Sequence, residues 1–274
     1  MNEGLGERRE RLEAILAGME SIVVAYSGGV DSAYLACAAA DARPGRVLCV
    51  TADSPSYPQR HREIAVRVAR EFNLTHEIIA TGEMERPEYR ANGADRCYFC
   101  KHELYTHLAR LARERAYAVV VDGNNADDRG DYRPGRRAAR EFGVRSPLDE
   151  AGLTKADIRA LSRARGLPIW DEPASACLSS RIPYQQEVTE PKLRMVEAAE
   201  EAIRSLGFQV VRVRHHDSLA RLELDRAEMA RALEPATNEA IVRALKAVGY
   251  KYVSLDLQGY RTGSLNEALV LRPA

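Results

Sequence analysis

SIVVAYSGGVDSAYLACAAA, residues 21–40, is the stretch on which the fold turns. Its first six residues form a short apolar run, the pattern of a buried strand. SGGVDS breaks that run, and an Ala-rich segment over 31–41 reads as a helix. A strand, a Gly-rich turn and a helix in immediate succession open a βαβ unit. Outward from it the alternation continues. RVLCVTA (46–52) reads as a second strand, and the segment 57–72 as a helix with Ile64, Val68 and Phe72 on one face. LTHEIIA (74–80) is a third strand, a polar stretch covers 81–96, a helix runs near 98–115, and YAVVVDG (117–123) is a fourth strand. Before the first strand, Leu12, Ile15 and Leu16 recur at helical spacing over 7–18. Strands alternating with helices predict an α/β fold with an open, mostly parallel sheet flanked by helices.

Past residue 123 the style changes. Residues 124–150 are loop-rich and hold arginines at 129, 133, 136, 137, 140 and 145. TKADIRALSRARG (154–166) reads as a helix with Thr154 as N-cap, Asp157 at the capping-box position and Gly166 as C-cap. DEPASACLSSRIPYQQ (171–186) marks a domain junction. Beyond it come a helix (189–206), strands at 208–214 and 219–224, helices at 226–233 and 236–248, and a strand at 250–257. This is a small α+β module. FQVVRVR (208–214) alternates, which predicts a sheet with one wet face.

The chain has 274 residues, 45% of them hydrophobic and 29% charged, which excludes a disordered chain, a collagen-like fibre and a coiled-coil rod. Lys plus Arg and Asp plus Glu are each 40, so the net charge is zero, where a dedicated nucleic-acid binder shows a basic excess. No run approaches the ~20 apolar residues of a membrane span. The charged, amphipathic N-terminus lacks the apolar core of a signal peptide, and the reading is a cytoplasmic protein. Cysteines stand at 37, 49, 97, 100 and 177; an odd number in such a chain points to metal or redox chemistry rather than a disulfide framework.

Three constellations carry chemistry. In Ser27-Gly28-Gly29-Val30-Asp31-Ser32 the glycines let the backbone turn tightly and approach a ligand. The helix that follows offers unpaired N–H groups and a positive dipole end to an anion such as phosphate. Asp31 beside a phosphate requires a bridging cation, which suggests Mg²⁺. The loop has no lysine and is not of the GxxxxGK[ST] type. The bland alternative is a Gly-rich turn with a solvated Asp31. Cys97-Tyr98-Phe99-Cys100 could be a redox pair, part of a zinc site or part of an iron–sulfur site, with Cys177 the candidate third ligand. Three thiolates would leave one iron of a [4Fe–4S] cluster open to hold a sulfide. Zinc completed by a histidine such as His102, or three buried thiols, are the alternatives. Cys37 and Cys49 read as core packing. Asp122-Gly123-Asn124-Asn125-Ala126-Asp127-Asp128 follows the fourth strand, at the sheet edge where open α/β folds bind ligands, and Asp127 or Asp128 could hold Mg²⁺. Arg181 could pair with a substrate phosphate or carboxylate. Arg212 and Arg214 share one strand face, and Glu223 on the next strand could pair with them in a ladder.

SGGxDS resembles the PP-loop of the N-type ATP pyrophosphatases, which cleave ATP between its α and β phosphates and adenylate a substrate oxygen. SGGVDS, CYFCKHELY, DGNNADD, RPGRRAAREFGV, EPASACLSSRIPY and GFQVVRVRHHDSLARLEL occur in the order seen in the LarE family, from about residue 8 to the C-terminus. The most specific part surrounds CLSSRIPYQQEVT. The resemblance implies an ATP-dependent sulfur transferase with ATP, Mg²⁺ and a [4Fe–4S] cluster as cofactors. A carboxylate of pyridinium-3,5-biscarboxylic acid mononucleotide would be adenylated and converted to a thiocarboxylate, in biosynthesis of the nickel-pincer nucleotide. It divides the chain into a PP-loop domain (1–174), a linker carrying the sulfur-site cysteine (175–187) and a C-terminal domain for substrate and oligomer contacts (188–274).

Residue by residue, the resemblance places Ser27, Gly28, Gly29, Asp31 and Ser32 in the ATP loop and Gly123, Asn124 and Asp127 in a second ATP-side loop. Lys101 would hold a phosphate or the adenylate. Ser180, Arg181, Glu200, Arg212, Arg214 and Glu223 fall near the substrate nucleotide and subunit contacts, with Glu201 an equal candidate to Glu200. One branch of the family sacrifices the sulfur of the cysteine at the position of Cys177; the other has a three-cysteine set for a cluster. Cys97, Cys100 and Cys177 resemble the second. The implied assembly is a ring-like homo-oligomer such as a hexamer, with a sulfide donor as a further partner. Competing readings are a PP-loop tRNA thiolase, opposed by the zero net charge and kept open by the arginines of 129–145, an amide-forming synthetase, and a non-enzymatic nucleotide or iron–sulfur scaffold.

Overall fold

Helix α1 (Glu3–Ala17) leads into β1 (Ile22–Ala25), α2 (Val30–Ala42), β2 (Val47–Asp53), α3 (Gln59–Glu71) and β3 (His76–Ala80). The short α4 (Pro87–Arg90) and long α5 (Arg96–Glu114) precede β4 (Val119–Val121), and α6 (Gly135–Glu141), α7 (Pro147–Glu150) and α8 (Lys155–Ala164) follow. The rest comprises α9 (Glu190–Ser205), β5 (Val211–His216), β6 (Leu219–Leu224), α10 (Met229–Leu233), α11 (Pro235–Val248) and β7 (Tyr252–Leu255). This is a computed structural model; it describes residues 3–130, 134–173, 176–261 and 263–266. Arg133 therefore lies outside the described residues. The chain divides into two compact units, Met1–Glu83 with Cys97–Ser175, and Met84–Arg96 with Ala176–Ala274.

In the first unit four strands pair in parallel in the order β3-β2-β1-β4, the α/β sheet expected from the sequence. Strand alternation explains why both faces are covered. Ile22 and Val24 of β1 pack into one core with Leu12, Leu16, Ala33, Ile64, Val68 and Ile158, from α1, α2, α3 and α8. Val23 and Ala25 point the other way, with Leu48 and Val50, onto Tyr105, Leu108 and Leu111 of α5. A parallel sheet buried on both sides reads as a continuous apolar run, which is what residues 22–25 are. The Ala-rich face of α2 lets that helix lie close: Ala33, Ala36 and Ala39 are fully buried. The order steps outward from β1 to β3 and then returns to β4 on the other side. The topological switch, where such sheets bind ligands, thus falls between β1 and β4. The capping box at α8 is present, Thr154 Oγ1 accepting from Asp157 N at 3.2 Å and Asp157 Oδ2 from Thr154 N at 3.0 Å. Its C-cap is Arg165, and Gly166 is the next residue, at φ 78°.

In the second unit β5 and β6 are antiparallel and β6 and β7 parallel. One face carries Val211, Val213, Leu222 and Leu224 against Ile203 of α9 and Ile241 and Leu245 of α11. The other face corrects the sequence expectation of a wet side: Arg212, Arg214 and Glu223 are all buried. Strand alternation assigned the faces, but the hydrophilic one is roofed by the 3₁₀ turn Leu178–Arg181, whose Ser180 carbonyl accepts from Arg214 Nη1 at 2.7 Å. The segment 84–96, a polar stretch in the sequence, groups with this unit although about 80 residues separate it from the remainder.

Candidate active site

In the first unit the Gly-rich turn sits at the carboxyl edge of the sheet, between β1 and α2. Gly28 has φ 66°, and a Cβ there would stand 2.7 Å from Ala65 Cβ of α3, so only glycine fits. Ser32 closes the loop on itself: its Oγ accepts from Ser27 N at 3.2 Å, donates to Gly29 O at 3.1 Å and lies 3.1 Å from Ser27 Oγ. Tyr57 Oη donates to Ser27 O at 2.9 Å, and burial raises its pKa. Gly29 is the N-cap of α2 without a side-chain cap bond, so the helix start faces the loop with its positive dipole end.

The loop after β4 packs directly on that helix start. A Cβ on Gly123 would come within 3.1 Å of Ser32 N. Asp122 anchors the loop from below, accepting from Tyr105 Oη and Ser146 Oγ at 2.7 Å each and from Asn124 Nδ2 at 2.6 Å. Asp127 N donates to Asn125 Oδ1 at 3.1 Å, and Asn125 Nδ2 reaches Asp31 Oδ2 at 3.5 Å. Ser27, Gly28, Gly29, Asp31, Ser32, Gly123, Asn124 and Asp127 thus gather at the β1/β4 switch. Lys155 completes the set and escaped the sequence reading. Its Nζ pairs with Asp31 at 2.5 Å and its backbone N donates to Asp127 Oδ2 at 2.8 Å. The signal was present: a lysine at the first position of α8 opposes the helix dipole, so a local anionic partner has to compensate it.

Cys97 and Cys100 lie at the start of α5, three residues apart on one face; Cys97 is exposed and Cys100 half-buried. The start of α6 presses against this turn. A Cβ on Gly135 would be 2.9 Å from Lys101 Cγ and 3.6 Å from Cys97 O, and the Arg137 guanidinium stacks 3.8 Å from the Tyr98 ring centroid. Lys101 Nζ lies 5.7 Å from the centroid of Tyr105, the residue that holds Asp122.

In the second unit Cys177, half-buried, immediately precedes the turn Leu178–Arg181. Its carbonyl accepts from Ser180 N at 3.0 Å, Ser180 Oγ at 2.8 Å and Arg181 Nη1 at 3.0 Å. Arg181 is 1% exposed and forks onto Glu200, Nε–Oε1 2.8 Å and Nη2–Oε2 3.1 Å. Burial opposes ionisation of Glu200, but Arg181 and then Arg212 and Arg204 overcome it and hold its pKa at about 2. Arg214 forks onto Glu223 at 2.9 and 2.7 Å. Arg212 lies 5.2 Å from the Tyr260 ring centroid, its pKa lowered to about 10 by burial and by the Arg181 charge. Ser180, Arg181, Glu200, Arg212, Arg214 and Glu223 come together as one buried network. Of the two neighbouring glutamates, Glu200 faces it and Glu201 is exposed. Within neither unit do three or more His, Cys, Asp or Glu side chains gather as a metal-holding group among the described residues.

The profile of the asparagine synthase family matches residues 16–237. A Lactiplantibacillus plantarum protein named pyridinium-3,5-bisthiocarboxylic acid mononucleotide synthase is 36% identical over 267 residues, 97% of this chain and 96% of its own length. The chain belongs to the LarE family. Uncharacterised proteins of Synechocystis sp. (42% identical, 97% of this chain and 99% of the relative) and Methanocaldococcus jannaschii (30%, 89% and 92%) are similar over nearly their full lengths. As a LarE-family member it is an ATP-dependent, sulfur-transferring enzyme built on the PP-loop fold. No helix among its described residues is long and apolar enough to cross a membrane.

Proposed function

We propose that this LarE-family enzyme converts a carboxylate of pyridinium-3,5-biscarboxylic acid mononucleotide into a thiocarboxylate, on the way to the nickel-pincer nucleotide. One observation carries the reading: a chain with a full-length match to a synthase of the bisthiocarboxylic mononucleotide places its PP-loop residues at the β1/β4 switch. In the first half-reaction a substrate carboxylate oxygen attacks the α-phosphorus of ATP. The bond to the β-phosphate oxygen breaks, pyrophosphate leaves, and an acyl-adenylate remains. The amides at the start of α2 and the Ser27 and Ser32 hydroxyls stabilise the phosphate oxygens, and Lys155 and Lys101 add positive charge. Asp31 and Asp127 supply the hard oxygen donors that would hold Mg²⁺, whose charge offsets that of the departing pyrophosphate. Arg212 and Arg214, with Ser180, Arg181, Glu200 and Glu223, form the cationic network that would receive the anionic mononucleotide.

In the second half-reaction a sulfur nucleophile attacks the acyl carbon and AMP leaves. Cys97, Cys100 and Cys177 are soft thiolate donors with a CxxC pair on one helix face, a donor set that suits an iron–sulfur cluster. They would hold a [4Fe–4S] cluster that presents sulfide at its open iron. Reduced thiols suit a cytoplasmic enzyme, and the family resemblance supports a ring-like homo-oligomer served by a sulfide donor.

The test begins with iron and acid-labile sulfide in protein prepared without oxygen, beside Cys97→Ala. A near-stoichiometric cluster that disappears in the variant supports the three-cysteine reading. No iron, with loss of H₂S from Cys177 after one turnover, assigns Cys177 as a sacrificial donor. Pyrophosphate release that requires the pyridinium mononucleotide supports the substrate; release with tRNA instead overturns it.

A further inference from the structure

The segment 84–96 contains no residue that the proposed chemistry uses, yet it is among the most thoroughly hydrogen-bonded parts of the second unit. Asn92 is fully buried at φ 55°, a left-handed conformation that asparagine tolerates better than most residues. Its Nδ2 donates to the carbonyls of Ile182 (3.2 Å), Pro183 (2.8 Å) and Gln186 (3.0 Å). Its own carbonyl accepts from Gln185 N at 3.0 Å, and Arg90 O accepts from Val188 N at 2.8 Å. Arg96 is buried; its Nη1 donates to Asn92 Oδ1 and, at 3.0 Å, to Ser179 O. Buried Tyr89 meets buried Ser179, Oη to Oγ 2.7 Å.

Apart from the Arg96–Asn92 bond, these bonds converge on residues 179–188, in the loop that follows Cys177. We propose that Asn92 and Arg96 are positioning residues for sulfur transfer: a buried clamp that fixes the Cys177 loop. Arg96 is also the first residue of α5, which carries Cys97 and Cys100 in the turn that follows. A carboxamide and a guanidinium suit this work, because each spans several carbonyls in fixed directions and sets orientation as well as spacing. A misplacement of the nucleophile by about 1 Å costs on the order of 10²-fold in rate. The inference rests on the sulfur-site role of Cys177.

Timed iodoacetamide labelling of the full-length protein, read peptide by peptide, tests the clamp without requiring turnover. Arg96→Ala, and Asn92→Gly, which keeps the left-handed backbone and removes the amide, should label Cys177 about tenfold faster than wild type. Cys37, in the core of the first unit, should stay unreactive, and Arg96→Lys should recover part of the protection. In the same variants, substrate-dependent pyrophosphate release should persist within about twofold while thiocarboxylate formation falls by about tenfold or more. Cys177 labelling within about twofold of wild type in both variants overturns the proposal. If Cys37 labels alongside Cys177, the fold is lost, and Tyr89→Phe decides: a severalfold rise at Cys177 supports the clamp and an unchanged rate overturns it. Wild-type protein that releases no pyrophosphate would sink the proposed function, and the labelling comparison would still decide the clamp.

Discussion

Glu200→Gln tests the buried network with a nearly isosteric change. Wild-type Glu200 accepts from Arg181 at 2.8 and 3.1 Å, from Arg204 at 2.8 Å and from Val213 N at 3.2 Å. The glutamine keeps one acceptor but turns an N–H toward guanidinium donors, and it leaves the Arg181 charge buried with no carboxylate opposite. Breaking one side of a buried pair costs about 3–5 kcal/mol. Linkage gives an independent figure. A carboxyl whose pKa falls from 4.5 unfolded to about 2 folded contributes about 3 kcal/mol at neutral pH. The sign follows from the depression: the contribution is complete above about 4.5 and drains away as pH falls toward 2, with about 1 kcal/mol left at pH 3. Urea unfolding of both proteins at pH 7 and at pH 3 measures it, since other acids cancel in the difference. The expected gap is about 3 kcal/mol at pH 7, narrowing toward about 1 at pH 3. A gap below about 1 kcal/mol at pH 7, or one that does not narrow with acid, would refute the argument.

Lys155→Met should leave the fold intact, because Thr154 and Asp157 still cap α8, and lower substrate-dependent pyrophosphate release by about 10²-fold; a wild-type rate would remove Lys155 from the site. Gly28→Ala forces a Cβ to within 2.7 Å of Ala65 at positive φ, so thermal melts should show a loss of about 1–3 kcal/mol and titrations a loss of ATP binding. Burial raises the thiol pKa of Cys37 to about 11 and of Cys49 to about 12, so at pH 8 a thiol reagent should reach them only after unfolding, while Cys97, Cys100 and Cys177 react in the native cluster-free protein. Binding of tRNA should be weak, with a log–log salt slope shallower than about −2; a slope near −5 with submicromolar affinity would revive the tRNA thiolase reading.

What the sequence made legible was periodicity. The run 22–25, the Ala-rich helix and the loop between them locate the carboxyl edge of the sheet, because strand and helix spacing are local properties. Thr154 and Asp157 are equally local, and the capping box lies where their spacing put it. Long-range polar contacts were not legible. Asn92 and Arg96 read as a polar stretch because their acceptors lie about 85–95 residues downstream. Arg212 and Arg214 read as a wet strand face because alternation reports which residues share a face and not what covers it. Lys155 carries no local mark of its partner; only the fold brings Asp31 to it.

The chain's arginine content takes on a different meaning once these partners are known. Of the loop arginines that suggested RNA, Arg129 and Arg136 both pair with Asp149 and Arg145 pairs with Glu150. In the second unit the carbonyls of Ala176, Cys177, Ser179 and Ser180 each accept a guanidinium N–H, from Arg181, Arg96 or Arg214. Apolar packing would fill the same volume but would leave the directions of those carbonyls undetermined. A planar fork fixes them, and with them the Cα–Cβ vector of Cys177. The glutamates Glu200 and Glu223 balance these cations, and the depressed pKa of Glu200 makes its share of the stability acid-sensitive. In the second unit, then, the buried arginines are matched to carboxylates and to the carbonyls of Cys177 and the turn that follows it.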